Sequence, residues 1–253
     1  MTRLTIGDFH FKGTRDGFRT GEYLVTLDGW EDGVHMRRTS NPIPQGHGEF
    51  DVPTFMEART VDFTANAYAN NAAELGHRGR AFKALLAGGT SRRVTVELAG
   101  QTLWGMARAG DARPTWQRAP GGIHLARASM ELFLANPRLF GESHTFSGAA
   151  PVVYHYGSFP ASPVITVTGS APGGYTINLP AGKRYTVTAP LESGVPHVVD
   201  MADGYLRING LIVSGSVGRA DLLAIPGGAS VAVSVTPVSG TASLSVLLLD
   251  TFM

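Results

Sequence analysis

The sequence predicts a mainly β protein with one α-helix, built from two parts of different composition. Short stretches of apolar residues alternate with Ser and Thr, and Gly-containing turn pairs separate those stretches. The frequency of charged residues also falls abruptly along the chain. Residues 1–148 carry 17 Lys/Arg and 15 Asp/Glu, whereas residues 149–253 carry 4 and 5, which together account for all 21 basic and 20 acidic residues. We therefore expect two domains, residues 1–148 and residues 149–253.

The second part, residues 149–253, has the pattern of a β-sandwich. Strands are predicted over residues 163–169, 230–236 and 243–249, where apolar side chains recur at every second position. Turn pairs lie between the strands at Gly173-Gly174, Asp203-Gly204, Asn209-Gly210 and Gly227-Gly228. Asp-Gly and Asn-Gly pairs tolerate the positive φ angles of tight hairpins. Short strands at this spacing are typical of a sandwich of two sheets.

The first part combines strands with one helix. Strands are predicted over residues 23–27, 60–63, 94–98, 102–108 and 123–134. A helix is predicted over residues 72–87, because Asn71 and Glu74 resemble a capping box and Gly88-Gly89 supplies a stop. Its apolar face consists of Leu75, Gly79, Phe82 and Leu86. Gly76 and Gly79 each weaken a helix by about 1 kcal/mol relative to Ala, so this helix is expected to depend on packing against the strands.

Composition excludes several classes of protein. Charged residues make up only 16% of the chain, the net charge is +1 and there is no cysteine, so a basic face for nucleic acid, disulfides and thiolate metal sites are not expected. No signal peptide is expected in the polar residues 1–20. The uncharged stretch between Asp221 and Asp250 is interrupted by Pro and Gly, so it is interpreted as strands and turns rather than as a membrane-spanning helix.

The sequence carries no motif of an enzyme. G-x-S-x-G is absent, with a near match only at residues 214–218, and no phosphate-binding loop occurs. The eight histidines show no metal-ligand spacing, although distant residues could still converge. The doublets Arg37-Arg38 and Arg92-Arg93 are interpreted as exposed, salt-bridged pairs rather than phosphate contacts. We therefore predict a protein with no catalytic residues, no metal and no cofactor.

Residues 37–48, Arg-Arg-Thr-Ser-Asn-Pro-Ile-Pro-Gln-Gly-His-Gly, resemble a signature of siphophage distal tail proteins. That family has an Arg, a Pro-x-Pro-like stretch and a Gly-rich turn just before a strand. The helix at residues 72–87, the hairpin that reaches Trp104 and the strand that ends at Asn136-Pro137 follow in the family's order. Residues 162–169 and 205–210 resemble strands of its C-terminal module, so the resemblance spans nearly the whole chain.

The resemblance implies a β-barrel-like (split-barrel) N-terminal domain with one helix and a galectin-like C-terminal β-sandwich. It further implies a homo-hexameric ring at the distal end of the phage tail in the virion. The ring would join the tail tube protein to the tail hub protein and the receptor-binding apparatus, possess a channel for the genomic DNA, and lie near the tape measure protein. Candidate contacts with a neighbouring subunit or tail protein are Arg37, Arg38, Asn41, Pro42, Ile43, Pro44 and His47.

Two other functions remain open from the sequence. A carbohydrate-binding module would use exposed aromatic side chains, for which the candidates are Trp104, Trp116, Tyr154 and Tyr156. A glycosidase or peptidase that acts on the cell wall would need two convergent carboxylates or a metal site. The exposure of these aromatic side chains distinguishes a structural protein from a carbohydrate-binding module. Buried rings favour a structural role, whereas a groove lined by rings favours sugar binding.

Overall fold

The computed structural model describes residues 2–13, 20–121 and 123–253. Two compact units are present; one ends at Leu139 and the other comprises Phe140–Phe252. The boundary predicted from composition, between residues 148 and 149, falls at the far end of the strand Leu139–Gly148. That strand is polar in composition, like the first part, but it lies beside Thr241–Phe252 in the second unit. The change in composition therefore marks where charged residues become rare, and it does not coincide with the division between the two compact units.

The first unit contains a closed β-barrel. Its elements are β1 (Arg3–Ile6), β2 (Phe9–Lys12), β3 (Gly21–Asp28), β4 (Met36–Arg37), β5 (Phe55–Met56), β6 (Arg59–Tyr68), α1 (Ala72–Ala84), β7 (Arg92–Leu98), β8 (Gln101–Ala109), β9 (Thr115–Arg118) and β10 (Leu125–Leu134). Neighbouring strands follow the order β8-β7-β1-β2-β3-β6-β10. The barrel closes where β10 pairs with β8, with Leu132 opposite Ala109 and Phe133 opposite Arg108.

Alternate side chains of these strands fill the barrel. Fully buried examples are Leu4, Ile6, Phe11, Val61, Val94 and Leu132. Phe11 contacts Phe63 with a centroid distance of 5.0 Å. Each such side chain contributes about 1.5–3 kcal/mol when it is removed from water. The sequence does not predict β1 and β2, because their apolar residues are few and stand among charged ones.

Helix α1 forms where it is predicted but ends earlier, at Ala84 rather than residue 87. Asn71 caps it, since its Oδ1 accepts from the backbone N–H of Glu74 at 2.8 Å. The Glu74 carboxylate accepts in return from the backbone of Asn70 at 2.9 Å, one residue before the cap. The last turn tightens into hydrogen bonds that span three residues, beginning with Leu85 N–H to Phe82 O at 3.1 Å.

The second unit is a β-sandwich with one hydrophobic core. Its elements are β11 (Leu139–Gly148), β12 (Val152–Tyr154), β13 (Val164–Ser170), β14 (Tyr175–Asn178), a 3-10 turn (Pro180–Gly182), β15 (Arg184–Val187), β16 (His197–Asp200), β17 (Leu206–Ile208), β18 (Leu211–Ile212), β19 (Val217–Ala220), β20 (Ser230–Ala232), β21 (Ser234–Pro237) and β22 (Thr241–Phe252). One sheet has the order β18-β17-β16-β13-β22-β11, a second has the order β19-β15-β14-β21, and β12 pairs with β20. Ile165 and Val246 of the first sheet share the core with Tyr175 and Ile177 of the second.

One strand prediction is wrong in the second unit. Residues 230–236, predicted as one strand, form β20 and β21, which pair with β12 and β14 respectively. The break falls at Val233, which is fully buried and donates its N–H to Pro151 O at 3.1 Å. Alternation of apolar residues continues across the break, so the sequence pattern does not reveal it. None of the helices in the described part of the chain combines the length and the hydrophobicity that a membrane-spanning helix requires.

Candidate functional site

An exposed two-stranded arm, residues 35–57, leaves the barrel between β3 and β6. Its root is closed by a hydrogen bond from Glu57 N–H to His35 O at 2.8 Å. Above the root, β4 pairs with β5, with Arg37 opposite Phe55. Nearly every residue of the arm is exposed or half-buried. Because it adds almost nothing to the core of its own chain, the arm is the prominent candidate for a contact surface.

The Pro-containing loop predicted as a contact forms the tip of this arm. Phe50 N–H donates to Asn41 O at 2.9 Å, and Ile43 N–H donates to Gly48 O at 3.1 Å. Gln45 sits in the left-handed region with φ of 57°, which turns the chain at the tip. The structure brings all the predicted contact residues onto one arm: Arg37, Arg38, Asn41, Pro42, Ile43, Pro44 and His47. Of these, only Ile43 is half-buried.

Charges along the arm are only partly paired. Arg38 forms an ion pair with Glu49, and Ser40 Oγ donates to Glu49 Oε1 at 2.8 Å. The Ser40 hydrogen bond and the Arg38 charge hold the pKa of Glu49 below its ordinary value, so this carboxylate is ionised at neutral pH. In the described part of the chain, Asp51 and Glu57 make no ion pair. Arg37 makes no ion pair with another described residue either, so the arm presents free charge of both signs.

Large apolar side chains of the arm face water. Met36 is 49% exposed, Phe50 57% and Phe55 61%. A two-stranded hairpin is marginally stable alone, and exposed aromatic rings on it are typical of surfaces that bind another molecule. Sequence analysis did not select Phe50 and Phe55. Their position among acidic residues on the strand that returns to the barrel is the signal that could have identified them.

A buried arginine fixes the root of the arm. Arg59, only 3% exposed, donates through Nη1 to the carbonyls of Gly29 (2.7 Å), Trp30 (3.0 Å) and Asp32 (2.8 Å). Its Nε donates to Pro137 O at 3.0 Å. Burial lowers the pKa of Arg59 and the Asp32 carboxylate opposes that shift, so the guanidinium remains charged at neutral pH. The turn that precedes the arm is thus held by one side chain.

The aromatic candidates for sugar binding differ in exposure. Trp116 packs against Phe82 with a centroid distance of 5.5 Å, and the Arg93 guanidinium lies 4.2 Å from the ring centroid of Trp104. Tyr154 and Tyr156, by contrast, are 38% and 60% exposed and lie 4.5 Å apart. The two tryptophans are engaged in packing, and the two tyrosines face water.

Among the described residues, no group of three or more His, Asp or Glu side chains is placed to hold a metal ion. Two buried histidines are engaged in hydrogen bonds within the second unit. His155 Nε2 accepts from Thr251 N–H at 3.1 Å, and His197 Nδ1 lies 3.1 Å from the Tyr175 hydroxyl.

Comparison with solved structures identifies the fold. The SPP1 Dit protein, described as a paradigm of the hub adsorption apparatus in phages that infect Gram-positive bacteria, matches with a TM-score of 0.77 and 14% identity over 100% of both chains. Chains of the phage P2 baseplate in its activated conformation match at 6% identity, with TM-scores of 0.48 (with Ca) and 0.47 (with Sr) over 98% and 97% of each chain. No family model and no curated protein matches the sequence.

The match to the SPP1 Dit protein covers both units and the connection between them. Identity of 14% is far below the level at which sequence alone establishes kinship, so the agreement lies in the course of the backbone. Along its whole length the chain has the fold of the SPP1 Dit protein, and the resemblance to siphophage distal tail proteins is confirmed at the level of the fold.

Proposed function

We propose that this protein is a structural subunit of the distal end of a long, non-contractile phage tail and has no enzymatic activity. The observation that carries the proposal is the full-length match, with a TM-score of 0.77, to a hub protein of a phage adsorption apparatus. Copies of the chain, six in the proposed assembly, form a ring that joins the tail tube to the tail hub and the receptor-binding apparatus.

The proposed ring closes through the first part of the chain. A ring needs a surface patch that meets a different patch on the next copy. The arm supplies such a patch, because it is exposed, carries aromatic rings and is stiffened at its tip by Pro42 and Pro44. A specific contact would bury about 1,600 Å² per pair. Residues 149–253, which we propose to be a galectin-like sandwich, would lie at the periphery.

The remaining partners follow from the position of the ring. In the virion it would contact the tail tube protein on one side and the tail hub protein on the other, close to the tape measure protein. Genomic DNA would pass through the channel without sequence-specific binding, which agrees with a net charge of only +1.

Mass is the first test of this proposal. Light scattering of the purified protein should give a multiple of 26.7 kDa, six-fold for the proposed ring, and negative-stain images should show a closed ring. A protein that stays monomeric at every concentration and forms no ring would contradict the proposed assembly.

The arm tip is tested separately. Replacing Pro42 and Pro44 together by Gly should weaken ring formation, because a flexible tip loses more entropy on docking. Pro196→Gly, an exposed proline of the second unit, is the matched control and should leave the mass unchanged. If the double variant assembles as the natural protein does, the tip of the arm is not part of the contact.

Carbohydrate binding is a second candidate function, supported by the exposed pair Tyr154 and Tyr156 with His144 4.8 Å from the Tyr156 ring. The two phenol rings meet at 67°, so at most one of them could stack flat on a sugar. Titration of the protein with cell-wall polysaccharide fragments should show binding that Tyr156→Ala abolishes and Tyr205→Ala, another exposed tyrosine, leaves intact. Absence of binding by the natural protein would dismiss this candidate.

A further inference from the structure

Helix α1 and strand β9 meet along a line that we call the α1–β9 seam. Strand β9 is the last strand of its sheet and pairs with β10. Two of its side chains share the face toward the helix, because Trp116 and Arg118 are two positions apart. Trp116 lies over Gly79, and Arg118 lies over Gly76. The two glycines, one helical turn apart, therefore allow both side chains to approach the helix closely.

Two guanidinium groups converge at the Gly76 end of the seam. A Cβ added at Gly76 would lie 2.6 Å from Arg118 Nη2 and 3.7 Å from Arg80 Nη1. Both arginines are exposed, and like charges brought this close repel each other. Lys83, exposed one turn farther along the helix, adds a third positive charge to this side. The seam is thus a concentrated positive surface.

The carboxylates of the helix region are engaged elsewhere. Arg78 binds Glu22 at 2.7 Å and Glu74 at 2.9 Å. Over the ranges that the structure describes, neither Arg80 nor Arg118 forms an ion pair with a carboxylate. The positive charge at the seam is therefore not neutralised by a described acidic side chain.

A buried donor at the same seam also lacks an acceptor. Trp116 Nε1 is buried and has no hydrogen-bond partner among the described residues. Buried polar groups are rarely left unpaired, and such a group is often explained by a bound water or ion. The seam thus presents donors from α1 and from β9, and an oxyanion is the kind of ligand that supplies acceptors and negative charge together.

We infer that the α1–β9 seam binds a phosphate group between Arg80 and Arg118. Guanidinium groups donate pairs of N–H groups to phosphate oxygens, and these charge-assisted hydrogen bonds are stronger than neutral ones. A phosphate dianion matches the charge of the two arginines. Because Arg80 belongs to the helix and Arg118 to the last strand of the sheet, the bound group fastens β9 to α1. The site lies within one chain and does not depend on the proposed ring.

Calorimetric titration of the full chain with inorganic phosphate tests the site, at an ionic strength held constant with chloride. The natural protein should bind phosphate, and Arg80→Met and Arg118→Met should each weaken binding by about tenfold or more, since each removes a charged donor. Arg127→Met is the matched control and should bind as the natural protein does, because Arg127 is exposed on the opposite face of β10. No binding by the natural protein, or unchanged binding by both seam variants, would overturn the inference.

The source of the phosphate group is tested with glycerol 3-phosphate, a monoester. Affinity equal to that of inorganic phosphate would show that the seam accepts a phosphate group carried by a larger molecule. Binding of inorganic phosphate alone would assign the site to the free ion. Either result supports the site, provided that it is lost in Arg118→Met.

Two further variants separate anion binding from the stability of the helix. Gly76→Ala should weaken phosphate binding although Ala favours the helix, because the added Cβ displaces Arg118 Nη2. Arg118→Glu places a carboxylate beside Arg80, so its melting temperature in chloride should exceed that of the natural protein and should no longer rise with phosphate. If phosphate stabilises Arg118→Glu as much as the natural protein, phosphate acts elsewhere and the inference is wrong.

Discussion

At the scale of single residues, Arg59 connects parts of the first unit that are far apart in sequence. Its guanidinium donates to carbonyls 30 and 78 residues away, at Gly29 and Pro137. The hydrogen bond to Trp30 O is buried and those to the other carbonyls are partly buried, so these carbonyls depend on the arginine for a donor. The side chain therefore orients the turn from which the arm emerges.

Replacing Arg59 by Met should lower the free energy of unfolding by about 3 kcal/mol, since each buried carbonyl left without a donor costs about 1–3 kcal/mol. Urea denaturation of the full chain measures the change. Arg127→Met, which alters an exposed arginine on β10, is the control and should stay within about 0.5 kcal/mol. If the urea midpoint of Arg59→Met equals that of the natural protein, water replaces the guanidinium as the hydrogen-bond donor to these carbonyls.

A buried histidine makes the second unit sensitive to acid. His197 is 1% exposed, and desolvation holds the pKa of its imidazole below the ordinary value of 6.5. The unfolded chain binds a proton near pH 6.5 while the native imidazole resists it, so the stabilisation is complete above that pH. It is lost progressively as the pH falls toward the native pKa.

The melting temperature should therefore fall as the pH is lowered from about 7.5 to about 5, and His197→Gln should make that fall smaller, because Gln cannot take up the proton. Calorimetry at several pH values checks this. His124→Gln, an exposed histidine of the first unit, serves as the control and should keep the natural slope. An undiminished slope in His197→Gln would assign the acid sensitivity to other groups.

At the scale of elements, helix α1 contains two glycines that have different neighbours. A Cβ added at Gly79 would lie 2.6 Å from Nε1 and 2.8 Å from Cδ1 of Trp116, whose ring is packed and cannot easily move. A Cβ added at Gly76 would lie 2.6 Å from Arg118 Nη2, the far end of a flexible side chain. The glycine that weakens the helix at position 79 is thus required by the close approach of β9.

These neighbours predict opposite effects for the same substitution. Gly76→Ala should raise the free energy of unfolding by up to about 1 kcal/mol, because Arg118 can move aside and Ala favours the helix. Gly79→Ala should lower it by about 1–3 kcal/mol, because the Trp116 ring would have to be displaced. Chemical denaturation of the two variants provides the comparison, and a stabilised Gly79→Ala would contradict the packing described here.

At the scale of the whole molecule, the arm is the segment whose environment should change most on assembly. Arg37 and Arg38 are exposed trypsin sites on it. As the protein concentration rises and the ring forms, cleavage after these residues should slow in parallel with the increase in mass. The variant Phe55→Ser lacks an exposed aromatic ring of the arm and is expected not to assemble. It should therefore remain cleavable at every concentration. Rapid cleavage of a fully assembled ring at Arg38 would place the arm outside the contact.

Local chemistry explains which features the sequence alone determined. The mainly β composition, the inward faces of β13 and β22 and the Asn71 cap of α1 depend on periodicity or on residues within a few positions of one another. Turns such as Asn209-Gly210, with φ angles of 51° and 79°, depend on two adjacent residues. The order of weak motifs along the chain was enough to indicate the fold.

Contacts between distant residues were decided only by the tertiary structure. Closure of the barrel joins Leu132 to Ala109, the division of residues 230–236 between two sheets follows from the burial of Val233, and Arg59 reaches a carbonyl 78 residues away. The sequence selected the tip of the arm but not Phe50 and Phe55, because an aromatic side chain in sequence is equally compatible with a core and with a surface. Only the three-dimensional packing determines which rings remain in water, since burial depends on which distant segments cover them.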